Sequence, residues 1–136
     1  MPHSLVTIAD LTKEKILSLL DSAARFEAEP NRKTLDGRVI ATLFFEPSTR
    51  TRLSFEAAMY ELGGHVIGFS GAQNSSAAKG ESVADTAKVI SCYADIIAMR
   101  HPKEGAAYVA AMNADIPVIN AGDGGHCHPT QTLADL

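Results

Sequence analysis

Short apolar segments alternate with longer amphipathic segments along this sequence, and the alternation is the feature that most restricts its fold. The apolar segments are rich in β-branched and aromatic residues, typical of buried strands, and occupy residues 39–45, 65–70, 95–99 and 117–120. Helical periodicity covers residues 10–27, 48–62, 82–93 and 104–114, and a further helix is predicted to begin near Pro129. Because strands that alternate with helices are joined by right-handed crossovers, we predict an α/β fold with a four-stranded parallel sheet and helices on both faces. The expected arrangement is Rossmann-like, with strand order 2-1-3-4.

The composition argues against several classes of function. The chain has 136 residues, of which 46% are hydrophobic and 21% charged, and these values predict one ordinary globular domain. A net charge of −4 gives no reason to expect nucleic acid or a membrane surface as a partner. We find no apolar run long enough to span a bilayer and no secretory signal. Cys92 and Cys127 lack the spacing of a metal motif, so we expect free thiols and a cytoplasmic location.

The segment FFEPSTRTR, residues 44–52, joins a predicted strand to a predicted helix. Ser48 is the expected N-cap, and Arg50 and Arg52 follow in the first turn, where the helix dipole disfavours cations. Free backbone N–H groups, hydroxyl groups and a guanidinium that converge at a helix start form a phosphate-binding site. From this turn alone, an ordinary serine cap followed by solvated arginines remains the alternative.

Polar segments follow all four predicted strands, at residues 48–52, 71–81, 100–102 and 122–131. In parallel α/β sheets, ligands bind beyond the carboxyl ends of the strands. We therefore expect these four segments to meet at one edge of the sheet and to form the functional site there.

Four strings with this order and spacing resemble the carbamoyltransferase family: FFEPSTRTRLSFE at 44–56, SSAAKGES at 75–82, MRHPKEGAA at 99–107 and NAGDGGHCHPTQTLADL at 120–136. The similarity is greater to the aspartate carbamoyltransferases than to the ornithine carbamoyltransferases. In the ornithine branch the HPTQ string, which here contains Thr130, normally has cysteine at that position, and the loop after the second strand lacks the lysine present here as Lys79.

The resemblance implies that residues 1–136 are the carbamoyl-phosphate-binding domain of a normally two-domain chain. It implies that the chain ends inside the helix leading to a second, aspartate-binding domain. The implied reaction is attack of the L-aspartate amine on the carbonyl carbon of carbamoyl phosphate, which gives N-carbamoyl-L-aspartate and phosphate in pyrimidine biosynthesis. No cofactor, metal ion or covalent enzyme intermediate is implied.

Site residues are also implied by the resemblance. Ser48, Thr49, Arg50 and Thr51 would bind phosphate, and Arg50 and Thr51 would also reach toward the carbonyl group. Arg100 would contact the phosphate and the carbonyl oxygen. His128 would donate a hydrogen bond to that oxygen, and Gln131 would bind the carbamoyl NH2 group. The catalytic set is Arg50, Thr51, Arg100 and His128. Without the resemblance, Arg100 is an ordinary surface arginine after a strand, and His128 a capping or packing histidine.

Ser76 and Lys79 occupy a loop of small and polar residues, which by itself is typical of a solvated surface. In the family this loop crosses into the neighbouring subunit, so the resemblance implies a homotrimer with shared active sites. The resemblance is also compatible with regulatory subunits. The string His126-Cys127-His128 does not predict a zinc site, because three consecutive residues rarely converge on one ion.

Three other functions compete with aspartate carbamoyltransferase activity. The first is ornithine carbamoyltransferase activity. The second is binding of carbamoyl phosphate without turnover, and the third is a generic nucleotide-binding module. The nucleotide-binding alternative lacks support, since the sequence contains neither a GxGxxG nor a GxxxxGK[ST] motif.

Overall fold

A computed structural model of the protein describes residues 3–29, 33–71, 80–125 and 127–136. These residues form one parallel sheet in the order β2-β1-β3-β4. Its strands are β1 (Val39–Phe44), β2 (His65–Ser70), β3 (Ile96–His101) and β4 (Val118–Asp123). The described α-helices are α1 (Lys13–Ala28), α2 (Thr49–Glu61), α3 (Val83–Ile90), α4 (Ala106–Asn113) and α5 (Pro129–Ala134). The predicted α/β class, parallel sheet and strand order are therefore confirmed.

Helices cover both faces of the sheet, as predicted. On one face, Ala41, Leu43 and Met99 pack in a buried cluster with alanines of α3 and α4, which include Ala87 and Ala110. The small alanine side chains let these helices lie close to the strands. On the other face, Ile40 and Ala98 pack with Met59 of α2. Strands β1, β3 and β4 are therefore mostly buried between helices, whereas the edge strand β2 is partly exposed.

Strands β3 and β4 extend further than the sequence pattern predicted. The apolar run of β3 stops at Met99, but Arg100 continues the ladder and pairs with Phe44 of β1. In the same way, β4 continues through Gly122 to Asp123. The prediction that Arg100 and Gly122 lie in loops was therefore wrong. Backbone pairing with a neighbouring strand can hold polar residues in a sheet after the apolar pattern has ended.

Helix α1 differs from the others because it contains no buried residue. The helical periodicity predicted here comes from Ile16, Leu19, Leu20 and Ala23, which lie in α1, but 38% of Leu19 is exposed. The neighbouring Leu17 is 54% exposed. Helical periodicity thus identified the helix correctly, and it did not determine what the helix packs against.

The outer edge of β4 is covered by the N-terminal segment. Leu5 forms an isolated parallel bridge with Ile119, in which Leu5 N donates to Val118 O and Asn120 N donates to Leu5 O, both at 2.8 Å. This pairing removes the exposed edge that β4 would otherwise present.

No helix within the described ranges has the length and apolar character needed to cross a membrane.

Candidate functional site

The start of α2 is an uncapped helix N-terminus. Ser48 is the N-cap residue, as predicted, but within the described residues its side chain forms no capping hydrogen bond, and the first turn contains no acidic residue. The backbone N–H groups of this turn therefore keep their capacity to bind an anion, reinforced by the helix dipole. This geometry favours the predicted phosphate site over the alternative of an ordinary serine cap.

The two arginines of this turn have different surroundings. The Nε atom of Arg52 lies 2.9 Å from Oε2 of Glu56, one helical turn away, and the same oxygen accepts a hydrogen bond from Oγ1 of Thr42 at 2.8 Å. Glu56 is therefore the anion that neutralises Arg52, and this pair does not need a bound ligand. Arg50 is exposed and forms no ion pair with the described residues.

An open cavity of about 640 Å³ lies at the carboxyl edge of the sheet. Three segments distant in sequence supply its walls, namely the start of α2, the end of β3 and the start of α5. The lining residues are Ser48, Arg50, Thr51, Ser54, Arg100, His128 and Gln131. Six residues predicted to form the site therefore line one cavity. Thr49 is the exposed first residue of α2 and is not among the described lining residues.

Ser76 and Lys79 lie outside the described residues. Their predicted positions in the site of a neighbouring subunit stay a prediction.

Arg100 is held against the backbone of β4. Its Nη1 atom donates to Ala121 O at 3.2 Å, and its Nη2 atom lies 3.7 Å from Oε1 of Glu46. A Cβ atom at Gly122 would lie 3.0 Å from Nη1, and the φ of Gly122 is 120°, a backbone conformation that favours glycine. The Nε atom of Arg100 is a buried donor without a hydrogen-bond partner in the described structure. Such unsatisfied groups are uncommon in native proteins, and they occur at functional sites.

His128 occupies the N-cap position of α5, and its side chain forms no capping bond within the described chain. Its Nδ1 atom lies 3.4 Å from Oγ1 of Thr130, and the tautomer determines which group donates. Burial lowers the pKa of His128 below its ordinary value of 6.5, and the positive charge of Arg100 lowers it further. The imidazole is therefore neutral at neutral pH and can donate one hydrogen bond.

Gln131 lies one turn into α5, and its amide Nε2 donates to Oδ1 of Asp135 at 3.2 Å. A second cavity of about 280 Å³ adjoins the first between α2 and α5. It shares Thr51, Ser54, His128 and Gln131 with the first cavity, so α2 and α5 present one continuous surface.

A second histidine lies beside the site without lining the cavity described here. The ring of His101 packs against Phe45, with ring centroids 4.9 Å apart. Burial lowers the pKa of His101, and the charge of Lys103 lowers it further, while Glu46 and Asp123 act in the opposite direction. His101 is therefore a neutral packing residue at neutral pH.

The described residues contain no group of three His, Cys, Asp or Glu side chains that could hold a metal ion. Cys127 and His128 belong to that part of the chain, whereas His126 lies outside it.

Sequence reasoning missed Ser54 and Glu46. Ser54 lies three residues after Thr51, on the same side of α2, and its hydroxyl donates to Thr51 O at 2.8 Å. Helical spacing was therefore sufficient to find Ser54. Glu46 faces Arg100 from another strand end, and that proximity depends on the register of β1 and β3.

Known proteins resemble this chain over almost its whole length. The aspartate carbamoyltransferase catalytic subunit of Bifidobacterium longum (strain DJO10A) is 62% identical over 135 residues, covering 98% of this chain and 42% of that protein. The catalytic subunit of M. jannaschii aspartate transcarbamoylase, in an orthorhombic crystal form, has a TM-score of 0.90 and 54% identity, covering 98% of this chain and 45% of that one.

Ornithine carbamoyltransferase from Pyrococcus furiosus has a TM-score of 0.89 and 39% identity, covering 97% of this chain and 43% of that one. This chain thus spans less than half the length of these relatives. The family described as "Aspartate/ornithine carbamoyltransferase, carbamoyl-P binding domain" matches residues 3–136. The uncapped helix, the cavity and this match agree, and the chain belongs to that carbamoyl-P binding domain family.

Proposed function

We propose that residues 1–136 are the carbamoyl-phosphate-binding domain of an aspartate carbamoyltransferase. The whole enzyme would transfer the carbamoyl group from carbamoyl phosphate to the amine of L-aspartate, giving N-carbamoyl-L-aspartate and phosphate in pyrimidine biosynthesis. The observation that carries this proposal is the single cavity lined by Ser48, Arg50, Thr51, Arg100 and His128 in a chain of this family.

The phosphate group is proposed to bind at the start of α2. There the uncapped N–H groups, that of Thr49 included, and the hydroxyls of Ser48 and Thr51 supply donors, and Arg50 supplies a planar guanidinium that can bind two phosphate oxygens. These groups neutralise the phosphate and stabilise it as it leaves. The helix dipole acts in the same direction because it places partial positive charge at this end.

The carbamoyl group is proposed to bind between Arg100 and α5. Attack by the aspartate amine makes the carbonyl carbon tetrahedral and develops negative charge on its oxygen. Arg100 and the neutral imidazole of His128 would donate to this oxygen, and donors already fixed in position lower the barrier most. Gln131 would accept from the carbamoyl NH2 group and so set the orientation of the carbonyl group.

Aspartate would be bound mainly by residues beyond this domain. Support for aspartate as the acceptor comes from the 62% identity to an aspartate carbamoyltransferase catalytic subunit, compared with 39% to an ornithine carbamoyltransferase. Because Cys92 and Cys127 are both free thiols, we also propose a reducing cytoplasmic environment.

The test uses the natural gene product with carbamoyl phosphate and either L-aspartate or L-ornithine. We expect N-carbamoyl-L-aspartate and phosphate with L-aspartate, and no product with L-ornithine. Turnover with ornithine alone would identify the ornithine branch. Binding of carbamoyl phosphate without any product would support a binding domain only, and failure to bind carbamoyl phosphate would contradict the proposal.

We further propose that the enzyme is a homotrimer in which Ser76 and Lys79 of each subunit complete the site of its neighbour. The test mixes two inactive variants of the gene product, Arg50→Ala and Lys79→Ala, under conditions that exchange subunits. Shared sites predict partial recovery of activity, because some mixed sites then contain both native residues. If mass measurement verifies that the subunits have exchanged and no activity returns, shared sites are contradicted.

A further inference from the structure

Two buried polar residues lie at the end of β4, behind the cavity. Asn120 is 0% exposed and Asp123 is 1% exposed. The Nδ2 atom of Asn120 donates to Val6 O at 2.9 Å and to Oδ1 of Asp123 at 3.2 Å. A charged group this deeply buried is stable only when it is hydrogen-bonded.

The carboxylate of Asp123 connects β4 to two other segments. Its Oδ2 atom accepts from the backbone N–H of Gly105, at the start of α4, at 2.9 Å. Its Oδ1 atom accepts from the backbone N–H of Cys127 at 3.1 Å, and the backbone N–H of Asp123 donates to Cys127 O at 3.3 Å. One side chain therefore fixes the strand end, the start of a helix and the residue that precedes His128.

The same network supports Arg100 from the opposite side. Oδ1 of Asn120 accepts from the backbone N–H of Gly122 at 2.9 Å. Gly122 is the residue against which the Arg100 guanidinium lies, and Ala121 O accepts from that guanidinium at 3.2 Å. The backbone beneath Arg100 is thus fixed by the side-chain amide of Asn120, which also donates to Asp123.

We propose that Asp123, supported by Asn120, is the residue that positions Arg100 and His128 for binding of the carbamoyl group. This inference rests on the proposed function. Asp123 does not line the cavity in the described structure, so it acts through the other two residues. The two hydrogen bonds between Asp123 and Cys127 hold the residue that directly precedes His128.

The test is the Asp123→Asn variant, with Asp115→Asn as its matched control. Asparagine has the shape of aspartate but only one acceptor oxygen, so it cannot accept from Gly105 and Cys127 through separate oxygens. Asp115 lies before β4, at the edge of the sheet opposite to the cavity, and forms an exposed ion pair with Lys88. We expect Asp123→Asn to weaken binding of carbamoyl phosphate and inorganic phosphate by roughly 10- to 100-fold in calorimetry. Asp115→Asn should bind both like the parent protein.

A histidine NMR titration separates positioning from a general loss of stability. In folded Asp123→Asn protein, we expect the pKa of His128 to rise toward 6.5, because the ring is no longer held in its partly buried site beside Arg100. A folded variant that binds both ligands like the parent and keeps the lowered pKa of His128 overturns the inference. If the parent protein binds neither ligand, the proposed function fails, and the His128 titration still decides the positioning role.

If Asp123→Asn does not fold, amide exchange measured on the unsubstituted protein tests the inference instead. Backbone amide exchange should show that the N–H of Cys127 is protected to the same degree as the N–H of Gly105, since both donate to one carboxylate. Exchange of the Cys127 N–H at the rate of an open loop would overturn the inference.

Discussion

The N-termini of α2 and α3 are both preceded by serine, and they use it differently. At α3, the Ser82 side chain accepts from the Asp85 backbone N–H at 3.1 Å, and an acidic residue lies in the first turn. At α2, the Ser48 side chain forms no such bond within the described residues, and the first turn contains arginines. The α3 start is stabilised by its own side chains, whereas the α2 start keeps its donors for a ligand. Of these two helix starts, the one whose serine makes no capping bond is the one that lines the cavity.

Removal of Arg50 should distinguish the two kinds of helix start most strongly. We expect Arg50→Ala to lower kcat of the natural gene product by roughly 100- to 1000-fold, because a charged donor to the reacting phosphate is lost. Lys15 is a cation in the first turn of the capped helix α1, so Lys15→Ala is the control and should retain activity. Steady-state kinetics measures both variants. Equal activities of these two proteins would show that the α2 start has no special role.

Loss of Glu56, the partly buried acceptor of Arg52, gives the next largest effect. We expect Glu56→Ala to lower the free energy of unfolding by about 1–3 kcal/mol, because the guanidinium of Arg52 loses its acceptor and the buried hydroxyl of Thr42 loses the shorter of its two hydrogen bonds. Urea denaturation measures this change. The control is Asp21→Ala, which removes the ion pair between Asp21 and Arg25. This pair also has i,i+4 spacing, but its side chains are 76% and 66% exposed. That exposed pair should contribute less than about 1 kcal/mol. A comparable loss in both variants would contradict a specific role for Glu56.

Alanine substitutions at the two serines test the comparison directly. Ser82→Ala should lower the free energy of unfolding by about 1 kcal/mol, since it removes a capping bond. Ser48→Ala should change stability less and weaken phosphate binding by roughly tenfold, equivalent to about 1.4 kcal/mol. Thermal denaturation and calorimetry on both proteins provide the measurements. The comparison fails if Ser48→Ala is the more destabilised protein and binds phosphate normally.

The smallest expected effect concerns pH and the start of α5. The pKa of His128 is lowered in the folded protein, so below about pH 6.5 the unfolded chain binds a proton that the native state does not. The free energy of unfolding should therefore fall as the pH decreases from 6.5 toward the lower pKa of the folded state. His101 contributes in the same direction. His128→Gln should make this decline shallower in denaturation curves at a series of pH values. An unchanged slope would show that His128 titrates alike in both states.

Residues near the site show how far sequence reasoning can extend. Arg50 was predicted from the pattern of a helix start, because local sequence determines which residues begin a helix. The roles of Arg100 and His128 were predicted only from the family resemblance. The internal neutralisation of Arg52 was not identified, although Glu56 is only one turn away, since that interaction also involves Thr42 of the neighbouring strand. In the same way, the periodic stripe of α1 indicated a helix and gave no information on its partner.

The sequence by itself determined the succession of strands and helices, the parallel sheet and the segments gathered at its carboxyl edge. These features follow from periodicity and crossover geometry, which depend on residues close together in the chain. The tertiary structure alone decided that the carboxylate paired with Arg52 also accepts from Thr42 of β1. It also decided that the Arg100 guanidinium lies on Gly122 and that Asp123 joins β4 to α4 and to Cys127. Those contacts depend on strand register and on distances between segments far apart in sequence, which no local pattern specifies.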